Sequence, residues 1–245
     1  MSTSPNNCNV VCVNWGTKYS PEYTRRLYRM VKNNTTYDFK FYVLTDNTTF
    51  YDKDKHINAI EIDTDDTSWW TKMLMFRKGT LPQGEYLYLD LDVIIVDNID
   101  NIFSHQSFGI TRDFIRPDNG LLPGPEYNSS VLRFNNATTQ GLYDYYQTNK
   151  RTWLDCQRTI APFFGDQNVI SAYVNHYPSF LNVFSDNDIW SFKKGSVRGA
   201  TAGDRSRMFG DTIPDSGKIC VFHGSPNPDE VKNIDWVDKF YHNVL

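Results

Sequence analysis

Two carboxylates one residue apart, Asp90 and Asp92, follow directly on the run Glu85-Tyr86-Leu87-Tyr88-Leu89. A strand that ends in acid delivers its carboxylates to a sheet edge, where water and ligand reach them, and period-two alternation turns side chains i and i+2 to one side. Paired hard oxygens suit Mg²⁺ or Mn²⁺, which complete their octahedra with substrate phosphates and water. The pattern therefore predicts a divalent cation gripping a diphosphate and acting as a Lewis acid on charge that develops there. An Asp-x-Asp pair also arises as a solvated turn. Here, however, Val93-Ile94-Ile95-Val96 follows at once, and acid inside an apolar run is costly unless paired or metal-bound.

The elements that must position this pair are legible as alternating apolar runs and helical patterns. Asn9 to Val13, Phe39 to Leu44, Ile57 to Ile62 and Glu85 to Leu89 read as strands. Pro21 to Val31 reads as a helix with Ser20 as N-cap and Pro21 at its first position, and Trp69 to Lys78 as a second, stopped by Gly79. Strand-helix-strand order predicts an α/β fold with a mostly parallel central sheet flanked by helices. Ligands then bind beyond the carboxyl ends of the strands, at Asn14 to Gly16, Thr45-Asp46 and Asp90 to Asp92. Further on, Ser129 to Phe134 and Lys218 to His223 read as strands, and Thr138 to Asn149, Asp166 to His176 and Trp236 to Tyr241 as helices. Arg112 to Glu126, Thr152 to Phe164 and Lys194 to Gly217 read as long loops, the first two as acceptor-binding and the last, with Arg198, Arg205 and Arg207, as a segment able to close over a diphosphate.

With 245 residues, 40% hydrophobic and 22% charged, the chain has ordinary globular composition, and no linker divides it. We expect one domain, 1–245, with a nucleotide-binding half at about 1–95 and an acceptor-binding half at about 96–245. A net charge of -4 without a basic stripe argues against nucleic acid as partner. No apolar run is long enough to span a bilayer, and the polar start Met1 to Asn7 lacks signal-peptide features, so a cytoplasmic protein is expected. Cys8, Cys12, Cys156 and Cys220 show no paired spacing and read as reduced thiols.

Several stretches, in order, resemble glycosyltransferase family 8, the glycogenin-like and galactosyltransferase-like retaining enzymes. Val11-Cys12-Val13-Asn14-Trp15-Gly16 with Tyr19 is similar to the nucleoside-holding first strand and loop, and Trp70-Thr71-Lys72-Met73 to the helix whose basic residue reaches the donor phosphates. Tyr88 to Val93 matches the metal-binding strand, Tyr127-Asn128-Ser129-Ser130-Val131 resembles the segment beside the donor sugar, with Ser130 in place of the usual Gly, and Gly165-Asp166-Gln167-Asn168 resembles the segment lining donor and acceptor sugars. Val221-Phe222-His223-Gly224-Ser225 resembles the late His segment. The family's Gly-x-x-Lys-Pro-Trp tail is replaced here by Gly224-Ser225-Pro226-Asn227-Pro228.

The resemblance implies the GT-A fold with a Rossmann-like N-terminal half, and transfer of a sugar from a nucleotide-sugar, a UDP-sugar above all, to a glycan or other hydroxyl acceptor with retention. It implies Mn²⁺ or Mg²⁺ held by Asp90, Asp92 and His223, with Leu91 and Gly224 beside them. Lys72 would face the diphosphate, Val13, Asn14, Trp15, Tyr19 and Asp46 the nucleoside, and Asn128, Asp166 and Gln167 the donor sugar. Each residue also has a structural explanation: Asn14 as a turn cap, Lys72 as a solvated helix residue, Asp166 as an N-cap, His223 as a hydrogen-bonded histidine. Two other functions compete. A haloacid dehalogenase-type Mg-dependent phosphatase also uses Asp-x-Asp, and Gly210 to Asp215 mimics its later motif, yet its pair sits near the N-terminus. A non-catalytic nucleotide-sugar-binding protein would keep the pocket without the chemistry.

Overall fold

Alternate residues along the central strands feed two separate cores. In Cys8–Asn14, Val10 and Cys12 join one apolar cluster and Val11 the other; in Glu85–Leu89, Leu87 and Leu89 face the first cluster, Tyr86 and Tyr88 the second. Strands buried on both faces in this way need a layer on each side. The computed structural model describes residues 8–103, 107–114, 125–160, 163–178, 181–193 and 212–244.

The strands are β1 (Cys8–Asn14), β2 (Phe39–Thr45), β3 (Ile57–Glu61), β4 (Glu85–Leu89), β5 (Val93–Ile95), β6 (Phe108–Arg112), β7 (Tyr127–Asn135), β8 (Leu181–Val183), β9 (Ile189–Ser191) and β10 (Ile219–Val221). Seven form one sheet in the order β3-β2-β1-β4-β7-β6-β8. β1 pairs parallel with β2 and β4, β2 with β3, and β6 with β8; β7 alone runs antiparallel, between β4 and β6. Every strand but β7 therefore ends on the same edge, and β7 begins there. β5, β10 and β9 form a small second sheet, with Val221 opposite Val93. The expected mostly parallel α/β sheet is present.

One face is covered by α1 (Pro21–Asn33), whose Leu27, Met30 and Val31 are buried, the short α2 (Asp100–Phe103) and the small sheet; the other by Ser68–Phe76, α3 (Gln140–Thr148) and α5 (Asp166–His176). Pro21 opens α1 as expected, but the Ser20 side chain makes no capping bond. Its carbonyl is held instead by Asn14 Nδ2 at 3.4 Å. No helix among the described residues is long and apolar enough to cross a membrane, and the four cysteines are free thiols.

The second expected helix is a 3₁₀ segment, Ser68–Phe76, rather than an α-helix over Trp69 to Lys78. Trp70 through Phe76 are all buried, and a one-sided amphipathic α-helix cannot bury seven consecutive residues. Ser68 enters it at φ 59°. The expected loop at Thr152 to Phe164 is largely helical, as α4 (Lys150–Thr159), and Arg112 ends a strand. The closing helix is one α turn, Asp235–Val237, continued by a π turn, Asp238–His242. Arg198, Arg205, Arg207, Gly210 and Asp211 lie outside the described residues.

α5 starts where Gly165 adopts φ 60° against Trp69, and a Cβ there would stand 2.1 Å from the indole ring. We expect Gly165→Ala to destabilise the protein by at least about 2 kcal/mol in urea unfolding, from strain and overlap together; an unchanged midpoint would show that Trp69 moves aside freely.

Candidate functional site

Alternation along β4 carries Tyr86 and Tyr88 to the side of α5, and Asp90 continues that side. Asp90 accepts a hydrogen bond from the Tyr88 hydroxyl and lies 3.1 Å from Lys72 Nζ. The chain then turns, so Asp92 does not repeat the direction of Asp90 as strict alternation would require. It is 6% exposed and accepts from the Tyr19 hydroxyl at 3.0 Å, on the α1 side. Between them Leu91 is buried in the first core cluster with Leu87 and Leu89, and the two carboxylates remain near enough for the charge of Asp90 to act on Asp92.

Lys72 is buried at the centre of this edge. Its ammonium lies 3.1 Å from Asp90, 3.0 Å from Asp166, and 3.2 and 3.1 Å from the Ser129 carbonyl and hydroxyl, with the Tyr88 ring centroid at 4.9 Å. Burial by itself lowers a lysine pKa, but the carboxylates of Asp166 and Asp90 outweigh it and hold Lys72 above its ordinary value, hence charged. Asp166 is not an N-cap; Gly165 occupies that position, and the Asp166 carboxylate receives Ser129 Oγ at 2.6 Å as well as Lys72. Burial raises the Asp166 pKa despite both partners.

A second chain of contacts adjoins the first. Asn128 Nδ2 donates to Gln167 Oε1 at 3.1 Å, Gln167 Nε2 donates to Asp113 Oδ1 at 3.0 Å, and Asn128 Oδ1 accepts from the Ser130 amide at 2.9 Å. The start of β7, the end of β6 and the first turn of α5 are thereby tied together. Asp113 and the Ser129 hydroxyl were not singled out from the sequence. The signal for Asp113 was weak, since Phe108-Gly109-Ile110-Thr111-Arg112 is a short strand-like stretch broken by Gly, Thr and Arg before the acid.

His223 reaches the same edge through the small sheet. Next to the Val221–Val93 pair, the Phe222 amide donates to the Asp92 carbonyl at 3.1 Å. The imidazole stacks on Phe114 with centroids 5.6 Å apart, and its Nε2 is 2.6 Å from Ser191 Oγ. Lys193 Nζ donates to the His223 carbonyl at 2.9 Å, and Gly224 turns the chain at φ 84°. Ser191 and Lys193 gave no sequence signal beyond a short apolar run.

At the ends of β1 and β2 the expected nucleoside residues divide. Asn14 is buried and donates to Thr24 Oγ1 at 3.1 Å, Tyr51 OH at 3.0 Å and the Ser20 carbonyl, so its amide holds α1 to β1. Val13 and Trp15 are half-buried against the second core cluster. Asp46 accepts from the Gly16 amide at 3.1 Å and joins the two strand-end loops.

Among the described residues no three His, Cys, Asp or Glu side chains already converge at metal-binding distance. The donor chemistry nevertheless fits a hard cation. Burial first, then the charge of Asp90, push the Asp92 carboxyl up to about 6, against the opposing pull of Lys18, the Tyr19 hydroxyl and Lys72. Asp90 and Asp92 supply hard oxygens, with His223 the imidazole at the adjoining strand end.

No protein-family model matches the chain, and no curated protein matches its sequence. Solved structures do share its fold. The glycosyltransferase GlyE of Streptococcus pneumoniae TIGR4 superposes with TM-score 0.66 at 14% identity over 97% of this chain, which spans 60% of GlyE. The apo form of GlyE gives 0.60 at 14% identity over 90% of this chain and 55% of that one. The galactosyltransferase LgtC, in complex with donor and acceptor sugar analogues, gives 0.62 at 12% identity over 95% of this chain and 96% of LgtC. The fold is that of these glycosyltransferases.

The raised Asp92 pKa sets a stability test for the metal-free protein. Its unfolded value is near the ordinary 3.8, so ionisation costs the folded state nothing below that pH, progressively more as pH rises to about 6, and the full amount above. Asp92→Asn should therefore stabilise the chelator-treated protein at pH 7.5, by up to roughly 3 kcal/mol, and leave it unchanged below pH 4. Urea unfolding at the two pH values reads this directly, and a variant less stable at pH 7.5 contradicts it.

Proposed function

We propose that this chain is a metal-dependent glycosyltransferase that moves a sugar from a nucleotide-sugar, a UDP-sugar, to a glycan or other hydroxyl acceptor with retention. The observation that carries the reading is the convergence of Asp90, Lys72, Asp166, Gln167 and Asn128 on the carboxyl edge of a parallel sheet whose fold is shared with GlyE and LgtC. LgtC has been solved with donor and acceptor sugar analogues, and another LgtC structure carries an active-site glutamine-to-glutamate substitution. Gln167 is the glutamine of the present cluster.

In this reading Asp90, Asp92 and His223 hold Mn²⁺ or Mg²⁺, which when bound supplies Lewis-acid stabilisation of the departing diphosphate. Tyr19, Val13, Trp15 and Asp46 border the nucleoside, and Asn14 holds the loop that presents them. Lys72 fixes Asp90 and Asp166 and balances their charge. Asn128 and Gln167, locked by their mutual hydrogen bond and by the Asp113 carboxylate, present amide groups to the hydroxyls of donor and acceptor sugars. Asp166 is 4% exposed and engaged by Lys72 and Ser129, so its carboxylate serves to orient and to stabilise positive charge at the anomeric carbon rather than to attack it. Retention then proceeds by attack of the acceptor hydroxyl on the face the diphosphate leaves. The chain acts as a single cytoplasmic domain, 1–245.

A panel of UDP-sugars incubated with the protein and Mn²⁺, without acceptor, should show slow, sugar-selective release of UDP. That release should fall at least about 100-fold on chelation and in Asp92→Asn or Gln167→Ala. Release of phosphate from phosphomonoesters, with nucleotide-sugars untouched, would instead identify a phosphatase; tight donor binding with no turnover would identify a binding protein.

A further inference from the structure

Lys72 is the lysine expected to face the donor phosphates, yet its three protons already confront four acceptors within 3.2 Å and the residue is 7% exposed. A diphosphate arriving at Asp92 and His223 needs cations with reach on that side. Two lysines stand there. Lys18 is exposed on the loop after β1, with its ammonium 4.5 Å from the centroid of the Tyr19 ring, the ring whose hydroxyl bonds to Asp92. Its charge is among those that favour the ionised form of Asp92. Lys193 stands beside His223, two residues after the end of β9, its ammonium 2.9 Å from the His223 carbonyl and 3.4 Å from the point a Cβ of Gly224 would occupy. The chain between β9 and Lys193 wraps the histidine, with Ser191 at the ring and the Lys193 amide on Ser191 Oγ at 3.1 Å.

We propose that Lys18 and Lys193 are the residues that grip the donor diphosphate, one from the loop after β1 and one from the segment after β9, while Lys72 remains inside the carboxylate network. The proposal deepens the donor reading above and rests on it. A pair of flexible ammonium groups placed on opposite elements can each meet a different phosphate as point charges, without the fixed fork that arginine would impose. Their positions also make electrostatic sense. Lys18 acts on Asp92, whose negative charge would repel a diphosphate until a cation is present, and Lys193 stands at the His223 carbonyl.

The test measures Mn²⁺ alone, by the electron paramagnetic resonance signal of the free ion, and pyrophosphate in the presence of saturating Mn²⁺, by calorimetry. Pyrophosphate carries no nucleoside or sugar, so the result is independent of which donor the enzyme takes. Lys18→Gln and Lys193→Gln should each weaken pyrophosphate roughly tenfold, and the double variant should weaken it further. Mn²⁺ alone should bind as before or more tightly, because loss of a nearby cation leaves the carboxylates more negative. Lys193→Arg should recover pyrophosphate binding. Unchanged pyrophosphate affinity in both single variants overturns the assignment, as does parallel loss of Mn²⁺ and pyrophosphate in Lys193→Gln without recovery in Lys193→Arg. A wild-type protein that binds neither pyrophosphate nor any nucleotide-sugar removes the donor reading itself, whereas wild-type binding with unaltered variants removes only the role of the two lysines.

Discussion

The buried ammonium of Lys72 is the interaction on which the rest of the site depends. It draws one acceptor from the residue after β4, two from the start of β7 and one from the first turn of α5, and so ties three elements through one charge. Burying a lysine with two carboxylates is costly, and such groups contribute less to net stability than to the uniqueness of the arrangement. Their value lies in the geometry they impose: any slippage of the Ser68–Phe76 segment would leave the Asp90 and Asp166 carboxylates without their cation, with only the hydroxyls of Tyr88 and Ser129 as partners. The 3₁₀ form of that segment follows from the same constraint, since Trp70, Met73 and Phe76 must fill the core while Lys72 points into the site.

The second constraint is the direction of the strands. Because β7 alone is antiparallel, it begins where β4 and β6 end, and Asn128 and Ser129 arrive on the same edge as Asp90 and Asp113. The small sheet completes the arrangement from another side. Its β5 continues directly from the acid pair and receives β10, so that a backbone hydrogen bond between Phe222 and Asp92 sets His223 at the rim. The polar side chains of this edge are thus distributed over strand ends, a turn and a helix start, each held by a hydrogen-bonded neighbour. Preorganisation of this kind is what electrostatic catalysis requires.

The shared architecture with GlyE and LgtC at 12% to 14% identity shows how little sequence this fold demands. What persists here is a layered burial pattern and a strand order, and those leave the identity of the polar residues at the edge to be decided locally. The replacement of the resemblance's late basic tail by Gly224-Ser225-Pro226-Asn227-Pro228 is one such local decision, and the placement of Lys193 against His223 is another.

Local pattern alone determined the first four strands, α1, α5 and the position of the acids at the end of β4, because apolar periodicity, a proline at a helix start and an abrupt change from apolar to acidic are properties of neighbouring residues. It also pointed to Asn128, Asp166 and Gln167 through family resemblance. Tertiary structure decided the rest. Whether Asp92 would follow Asp90 depended on the burial of Leu91 and on Tyr19, 73 residues away. The role of Asn14 depended on Thr24 and Tyr51, the saturation of Lys72 on Ser129 and Asp166, and the importance of Asp113 on Gln167, 54 residues distant. The physical reason is common to all of these: a buried polar group must find its hydrogen bonds wherever the fold supplies them, and the partner's identity is set by packing across the sheet, on which the order of neighbouring residues has no bearing.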